Sequence, residues 1–308
     1  MIERLHRILE RRLDGFGLSP RELLVRDAPG GLQRPGLVSA NGHCRLQQTS
    51  DGWVAINLAR SEDIELIPAL TGGKGETWDA LTRFALAHDA ISIRDRAIEL
   101  QLPVAIPGES AAYVLDEAAP GTAPRRVVDL SALWAGPLCA GLLARVGASV
   151  VRIESIGRPD PTPRVSPELD ARINGEKTTL ALDLREAGDR DRLYDEISKA
   201  DVLVTSARAA ALARLGLAPD KFSRLTWVAI TAHGFSGAGA HRVGFGDDCA
   251  IAGGLMGGSL AQPRFVGNAL ADPLTGLEAA RAVLAGRCGV IDMAMARVAA
   301  GYAQAVAS

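Results

Sequence analysis

The sequence is poor in aromatic residues, 4% of 308, and holds only four cysteines. It has no block of Lys or Arg and no basic stripe interleaved with aromatics; 34 basic and 36 acidic residues leave a formal charge of −2. Nucleic-acid binding draws on clustered positive charge, so no nucleic-acid partner is expected. Cys44, Cys139, Cys249 and Cys288 share no short spacing. That argues against a zinc frame or a disulfide scaffold, and the four read as small buried hydrophobes in a reducing compartment. A cytoplasmic protein without a metal is expected. No apolar run approaches the roughly 20 residues of a membrane helix, so no membrane association is expected. The opening MIERLHRILERRLDGF carries Glu3 and Glu10 and lacks the apolar centre of a secretory signal. G-x-G-x-x-G is missing from the best phosphate-binding candidate, so a nicotinamide or flavin dinucleotide site is not supported.

What the chain does have is 47% apolar residues, with Ala and Leu dominant, and 33 glycines. That composition and length suit a soluble α/β protein of two ordinary domains. The organising stretch is RRVVDLSALWAGPLCAGLLARVGASVVRIE, residues 125–154. Residues 127–130 are a short Val-rich run, read as a buried strand. A turn follows, and Pro137 suits the first position of a helix, where no N–H is needed. Leu138, Leu142, Leu143 and Val146 share a helical face, Gly147 suits a left-handed helix end, and residues 149–153 form a second strand. Strand, turn, helix and strand make a βαβ unit with a parallel sheet. The helix start beside Ala135 and Gly136 can hold an anion or pyrophosphate; the same pattern equally fits an ordinary crossover.

Along the chain, residues 2–13 are amphipathic, and Ser19-Pro20-Arg21-Glu22 is a capping box that starts a second helix. Residues 44–49 and 53–58 flank Ser50-Asp51-Gly52 as a β-hairpin. Helices are expected over 61–70, 76–87 and 91–100, and a short strand over 104–106. Residues 1–36 therefore read as N-terminal helices, 37–106 as a small α+β domain, and 107–124, rich in Pro, Gly, Ser and Ala, as a linker. Beyond it, strands at 178–184, 201–205, 227–232 and 290–295 alternate with helices at 186–198, 273–285 and 297–306. Residues 235–246 form a glycine-rich loop. The large domain, 125–308, is thus a doubly wound, mostly parallel, Rossmann-like α/β sheet.

From Val127 to Ala296 the chain resembles the family III CoA-transferases, which include formyl-CoA and carnitine CoA-transferases and, by related chemistry, α-methylacyl-CoA racemase. The opening strand, Ala-Gly-Pro and helix match. So do Asn174-Gly175-Glu176-Lys177 followed by a Leu-Asp-Leu strand, ADVLVTSARAAALARLGL at 200–217, Gly234-Phe235-Ser236-Gly237 at the family's glycine loop, and Ala271-Asp272-Pro273-Leu274 at its catalytic aspartate. QTSDGWVAINL at 48–58 is similar to a hairpin of the family's small domain, which there follows the first half of the large domain. Here it comes first, which implies a circular permutation.

The resemblance implies CoA transfer between an acyl-CoA and a carboxylic acid. Asp272, read as the N-cap of its helix, would be the nucleophile, and Gly234 and Gly237 would frame an oxyanion-binding loop. Arg208, Lys177 and Arg152 would hold CoA phosphates, with Asn174, Ala135 and Gly136 completing the CoA site. A homodimer is implied as well. Phe235 replaces the usual Gln, Thr205-Ser206-Ala207 and Ala209-Ala210 replace Glu-Asn-Phe and Pro-Gly, and Gly244-Phe245-Gly246 falls where the family often has Gly-Tyr-Asp. These departures leave a catalytically weakened acyl-CoA-binding protein as one alternative; an acyl-CoA racemase or isomerase is another, which would need an acid/base partner facing Asp272 and against which Phe245 argues. His233 and His241 do not occupy the racemase histidine position and read as solvated or capping loop residues.

Overall fold

A parallel strand buried on both faces needs apolar residues at consecutive positions, and the Val-rich runs supply them. The computed structural model describes residues 1–308 other than 74, 76, 116 and 118–120. A small antiparallel sheet comes first: β1 (Cys44–Gln48), β2 (Trp53–Asn57) and β3 (Val104–Ala105), in that order. The larger sheet holds β4 (Arg126–Leu130), β5 (Ser149–Ser155), β6 (Thr178–Leu182), β7 (Val202–Thr205) and β8 (Thr226–Thr231). A hairpin, β9 (Gly257–Ser259) and β10 (Gln262–Arg264), precedes its last strand, β11 (Val290–Ala294). The large sheet has the order β11-β8-β7-β4-β5-β6, and every pairing is parallel. The chain therefore winds outward from β4 first through β5 and then through β7. The crevice at the carboxyl ends of β4 and its neighbours is the topological switch point, where open α/β sheets bind ligands.

Side chains of successive residues serve two cores. Val127, Val150, Val204, Val228 and Ile291 pack with the helices Ala135–Arg145, Ala271–Leu284 and Met295–Ala307. Val128, Val151, Leu203 and Ala229 pack on the other face with Leu193 and Ile197 of the helix Ala187–Ser198. A third core joins β2 and β3 to the helices of the small unit.

Several boundaries move, each for a local reason. The expected helix over 61–70 is two, Ser61–Glu65 and Ile67–Thr71, because Pro68 lacks an N–H and its ring opposes the carbonyl four residues back. Glu76, the expected start of the next helix, lies outside the described residues, and the helix runs Trp78–Ala87. Pro137 is the third rather than the first residue of its helix, still within the turn that has no partner for its N–H groups. The helices Thr162–Val165, Pro167–Asn174 and Gly246–Ala252 and the β9–β10 hairpin had no counterpart in the sequence reading. Cys44, Cys139 and Cys249 are buried as expected, but Cys288 is exposed in the turn before β11.

The first residues are part of the large core. Leu5 and Leu9 of the helix Ile2–Arg12 are fully buried in it, worth roughly 1.5–3 kcal/mol per side chain. The next helix, Pro20–Leu24, opens with the expected capping box. Asp27 then accepts the amides of Glu168 and Leu169 and so caps the helix Pro167–Asn174. The described part of the linker is also pinned: the amides of Gly108, Ser110 and Tyr113 donate to carbonyls of Ile251, Ala252 and Arg297.

Candidate functional site

Asp272 lies in the first turn of the helix Ala271–Leu284, one residue inside it, and Leu270 rather than Asp272 takes the N-cap position. The amides of Gly246 and Ala135 are directed at its carboxyl group. Ala135 begins the helix that follows β4, and Gly246 begins the helix Gly246–Ala252, so three helix starts meet at one carboxyl. Each brings unpaired N–H groups and the positive end of a peptide-dipole array. Close approach permits this. A Cβ at Gly276 would lie 2.6 Å from the Ala135 carbonyl oxygen, so only glycine lets the two long helices touch there. Backbone strain sits at the same place. Of the non-glycine residues with left-handed φ among those described, Leu133 (φ 70) and Ala269 (φ 47) lead into the helices that meet at Asp272. Strain of this kind persists only where the surroundings enforce it.

The electrostatics oppose one another. Asp272 is half-buried, and desolvation pushes its pKa up to about 7, against the lowering by Arg26 and the two amides and with a further rise from Asp247. Asp247 accepts the Ala269 amide (2.8 Å) and Asn41 Nδ2 (3.0 Å), and its pKa is also raised, chiefly by burial. Asp248, fully buried, accepts Asn57 Nδ2 (2.7 Å) and the Phe245 amide (2.9 Å), and burial pushes it up to about 7. Asn41 and Asn57 come from the small unit, which is thus tied to the acidic start of this helix.

The residue that sequence reasoning missed is Arg26. Its guanidinium lies 5.7 Å from the centre of the Trp134 ring, and Trp134 directly precedes Ala135. Nothing local in the sequence marks it; only the fold-back that puts Asp27 on the helix Pro167–Asn174 brings it here.

The expected CoA ligands are distributed otherwise. The Lys177 side chain is fully buried, and its ammonium donates to Asp129 Oδ2, the Pro137 carbonyl and Asn174 Oδ1, each at 2.7 Å. Three acceptors use its three donors, so the phosphate role expected of Lys177 is corrected to a structural one in this conformation. Asn174 is spent on Lys177 and Asp170. Arg152 is buried among Glu154, Asp160 and Asp170 and likewise does not face solvent. Gly136 packs against Ser131, where a Cβ would be 2.3 Å from its hydroxyl, and Ala135 serves Asp272 with its amide. Arg208 is exposed and donates to Gln101 of the small unit. In the glycine loop, the Gly234 amide is bound to Thr231 Oγ1 and the Phe235 amide to Asp292, while Gly237 is exposed with φ 67. The amides aimed at Asp272 are therefore those of Ala135 and Gly246, in place of the expected Gly234–Gly237 pair.

His233 differs from the expected solvated residue. Burial, with Arg242 nearby, pushes its pKa down to about 3. Ligand atoms of His233, Asp248 and Cys249 lie within 4.8 Å of one another, but the positive charge of Arg242 beside His233 opposes a cation there.

Gly246→Ala is expected to reduce turnover by tenfold or more with little change in fold. The added Cβ would stand 2.1 Å from Asp272 Oδ2 and 2.5 Å from the Ala269 carbonyl oxygen, so the helix start must withdraw from the carboxyl. Steady-state rates with circular dichroism as a folding control would show it.

Residues 123–305 match the family described as CoA-transferase family III. The chain belongs to that family. An acyl-CoA transferase of Fusarium pseudograminearum is 28% identical over 175 residues, 49% of this chain and 38% of that protein. Succinyl-CoA:glutarate CoA-transferase of Mus musculus is 27% identical over 175 residues, 52% of this chain and 40% of that protein. Among solved structures, the hypothetical protein Rv3272 of Mycobacterium tuberculosis aligns with TM-score 0.53 at 27% identity, over 60% of this chain and 57% of that one. The chain thus spans well under half the length of those curated relatives. The large sheet, β4 to β11, lies wholly within the family III match.

Proposed function

We propose that this family III protein moves CoA from an acyl-CoA to a carboxylic acid, with Asp272 as nucleophile. The observation that carries the reading is a half-open carboxylate at the switch point, facing the amides of Ala135 and Gly246. Asp272 attacks the thioester carbonyl, the C–S bond breaks, and an acyl-aspartyl anhydride and CoA thiolate result. The thiolate attacks the aspartyl carbon, releases the donor acid and leaves aspartyl-CoA; an acceptor acid reverses these steps. Each tetrahedral intermediate on the aspartyl carbon places an oxyanion among N–H groups already aimed at that carboxyl. Donors so placed contribute several kcal/mol to such steps, about 3–4 for one good donor. Arg208, exposed beside the small unit, is the proposed phosphate ligand, and a homodimer is the proposed assembly. The names of the relatives, transferases of acyl-CoA and of succinyl-CoA with glutarate, support the substrate class.

The test is to incubate the protein with a panel of acyl-CoAs and acceptor acids in deuterated water. Appearance of the acceptor's CoA ester supports transfer. Deuterium at the α-carbon without transfer indicates a racemase or isomerase, and binding alone a weakened acyl-CoA-binding protein.

The raised pKa sets the pH dependence. Asp272 attacks as the carboxylate, so kcat/KM for the donor is expected to climb tenfold per pH unit below about 7 and to level above it. Stability runs the other way. A carboxyl raised from 3.8 to about 7 favours the folded state fully below 3.8 and loses that contribution as pH rises through about 7. Asp272→Asn is therefore expected to narrow the difference in melting temperature between pH 5 and pH 8.

A further inference from the structure

Arg26 is half-buried, its Nε is fully buried without a partner, and no carboxylate of the chain is paired with it among the described residues. Trp134, over which it lies, is 2% exposed and its indole Nε1 is also without a partner. The neighbouring peptide, Ala135, faces Asp272. Asn268 and Thr275, about one turn before and after Asp272, carry further buried polar atoms with no partner. Buried donors are rarely left unmade in a folded protein, and the unpartnered nitrogens of Arg26 and Trp134, stacked next to the start of the helix that faces Asp272, mark a place suited to a ligand. The charge present says which kind. Arg26 supplies a planar fork of N–H groups that fits a carboxylate, and Trp134 fixes its plane.

We infer that Arg26, set over Trp134, receives the carboxylate of the acceptor acid and turns it onto Asp272. This rests on the transfer reading above. Once Asp272 is joined to CoA as a thioester it is neutral, and the other carboxylate that acts on Arg26, Asp247, has its two oxygens already taken by Asn41 and the Ala269 amide. An incoming carboxylate restores the lost negative charge. Its oxygen bonds to the aspartyl carbon, the C–S bond breaks and CoA leaves as thiolate; the thiolate bonds to the acceptor's acyl carbon, the anhydride C–O bond breaks, and Asp272 returns as carboxylate. No proton is gained or lost over these steps. Arg26 precedes the segment that matches the family, residues 123–305, so the family's shared residues do not supply this contact.

The test uses the full chain with Arg26→Gln, Arg26→Lys and Arg26→Ala, each checked for native circular dichroism. Calorimetry measures the dissociation constants of CoA and, in its presence, of butanoate and succinate; initial rates give KM for donor and acceptor. Arg26→Gln is expected to weaken both carboxylates and raise acceptor KM tenfold or more while CoA affinity holds within twofold. Arg26→Lys should fall between, and methylguanidinium should partly restore Arg26→Ala. Unchanged carboxylate affinity, or an equal loss of CoA and carboxylate affinity without rescue, overturns the assignment, as does a loss confined to succinate, which would put Arg26 on a remote carboxylate. A wild-type protein that binds butanoate through Arg26 but transfers no CoA would sink the transfer reading and leave the carboxylate site standing. A wild type that binds no carboxylate sinks the site itself.

Discussion

Asp272→Ala is expected to cut CoA transfer by roughly a thousandfold or more while leaving CoA affinity nearly intact. The reason is chemical: without a carboxylate there is no anhydride and no aspartyl thioester, and what catalysis remains comes from binding and oriented donors alone. Asp247 cannot readily substitute, since both its oxygens are engaged and burial raises its pKa. The covalent state gives an independent readout. Wild-type protein mixed with acyl-CoA should yield to hydroxylamine a hydroxamate on the peptide containing Asp272, found by mass, and the variant should yield none. The variant should also melt higher, by a few degrees at pH 8, because a desolvated carboxylate is a cost to folding. Transfer at more than a tenth of the wild-type rate in Asp272→Ala would move the nucleophile elsewhere.

The large sheet was legible because its strands are buried on both faces. Val127-Val128 and Val150-Val151 need no alternation to be read as strands, and their separation by one helix implies parallel pairing. Motifs in register pointed to Asp272, and the structure puts it one residue inside its helix rather than at the N-cap. Two of the three cations, Lys177 and Arg152, lie in buried ion pairs for a physical reason. A lone Lys in a sequence carries no mark of the three acceptors that Asp129, Pro137 and Asn174 hold ready for Lys177 once β4, its helix and the turn before β6 are assembled. The helix Gly246–Ala252 was hidden by its glycines, which suggested a loop. Its signal was present all the same: Asp248, three residues after Phe245, reaches back to that residue's amide as the acidic member of a capping box does. Arg26 had no such signal. Its position depends on a segment more than a hundred residues from Asp272 in sequence docking on the large core, and local pattern carries no record of that contact.

That docking can be loosened without touching the site. Glu278→Ala is expected to lower the melting temperature by several degrees and, through Arg26, to weaken acceptor use. Glu278 Oε1 accepts Arg12 Nε at 2.6 Å and the Tyr302 hydroxyl at 2.6 Å, and Arg12 and Glu278 are 3% and 1% exposed. Removing the carboxylate takes from the Arg12 guanidinium its buried partner and leaves the exposed Glu117 at 3.3 Å; breaking a buried pair costs about 3–5 kcal/mol. With an unfolding entropy of about 2.1 cal/mol/K per residue, a 308-residue chain loses roughly 5–8 °C for that cost. Among the described residues the helix Ile2–Arg12 is also tied by Arg4 to the Val306 carbonyl at 2.9 Å and by the Arg12 carbonyl to Arg281. Limited proteolysis should therefore cut the variant first between residues 13 and 19, ahead of global unfolding, and acceptor KM should rise more than donor KM. Replacing both partners, Arg12→Met with Glu278→Leu, removes both charges of the pair together and should recover much of the stability. If Glu278→Ala melts within a degree of wild type, the pair contributes nothing to docking and the N-terminal helix is held by its apolar face, with Leu5 and Leu9, and its remaining hydrogen bonds.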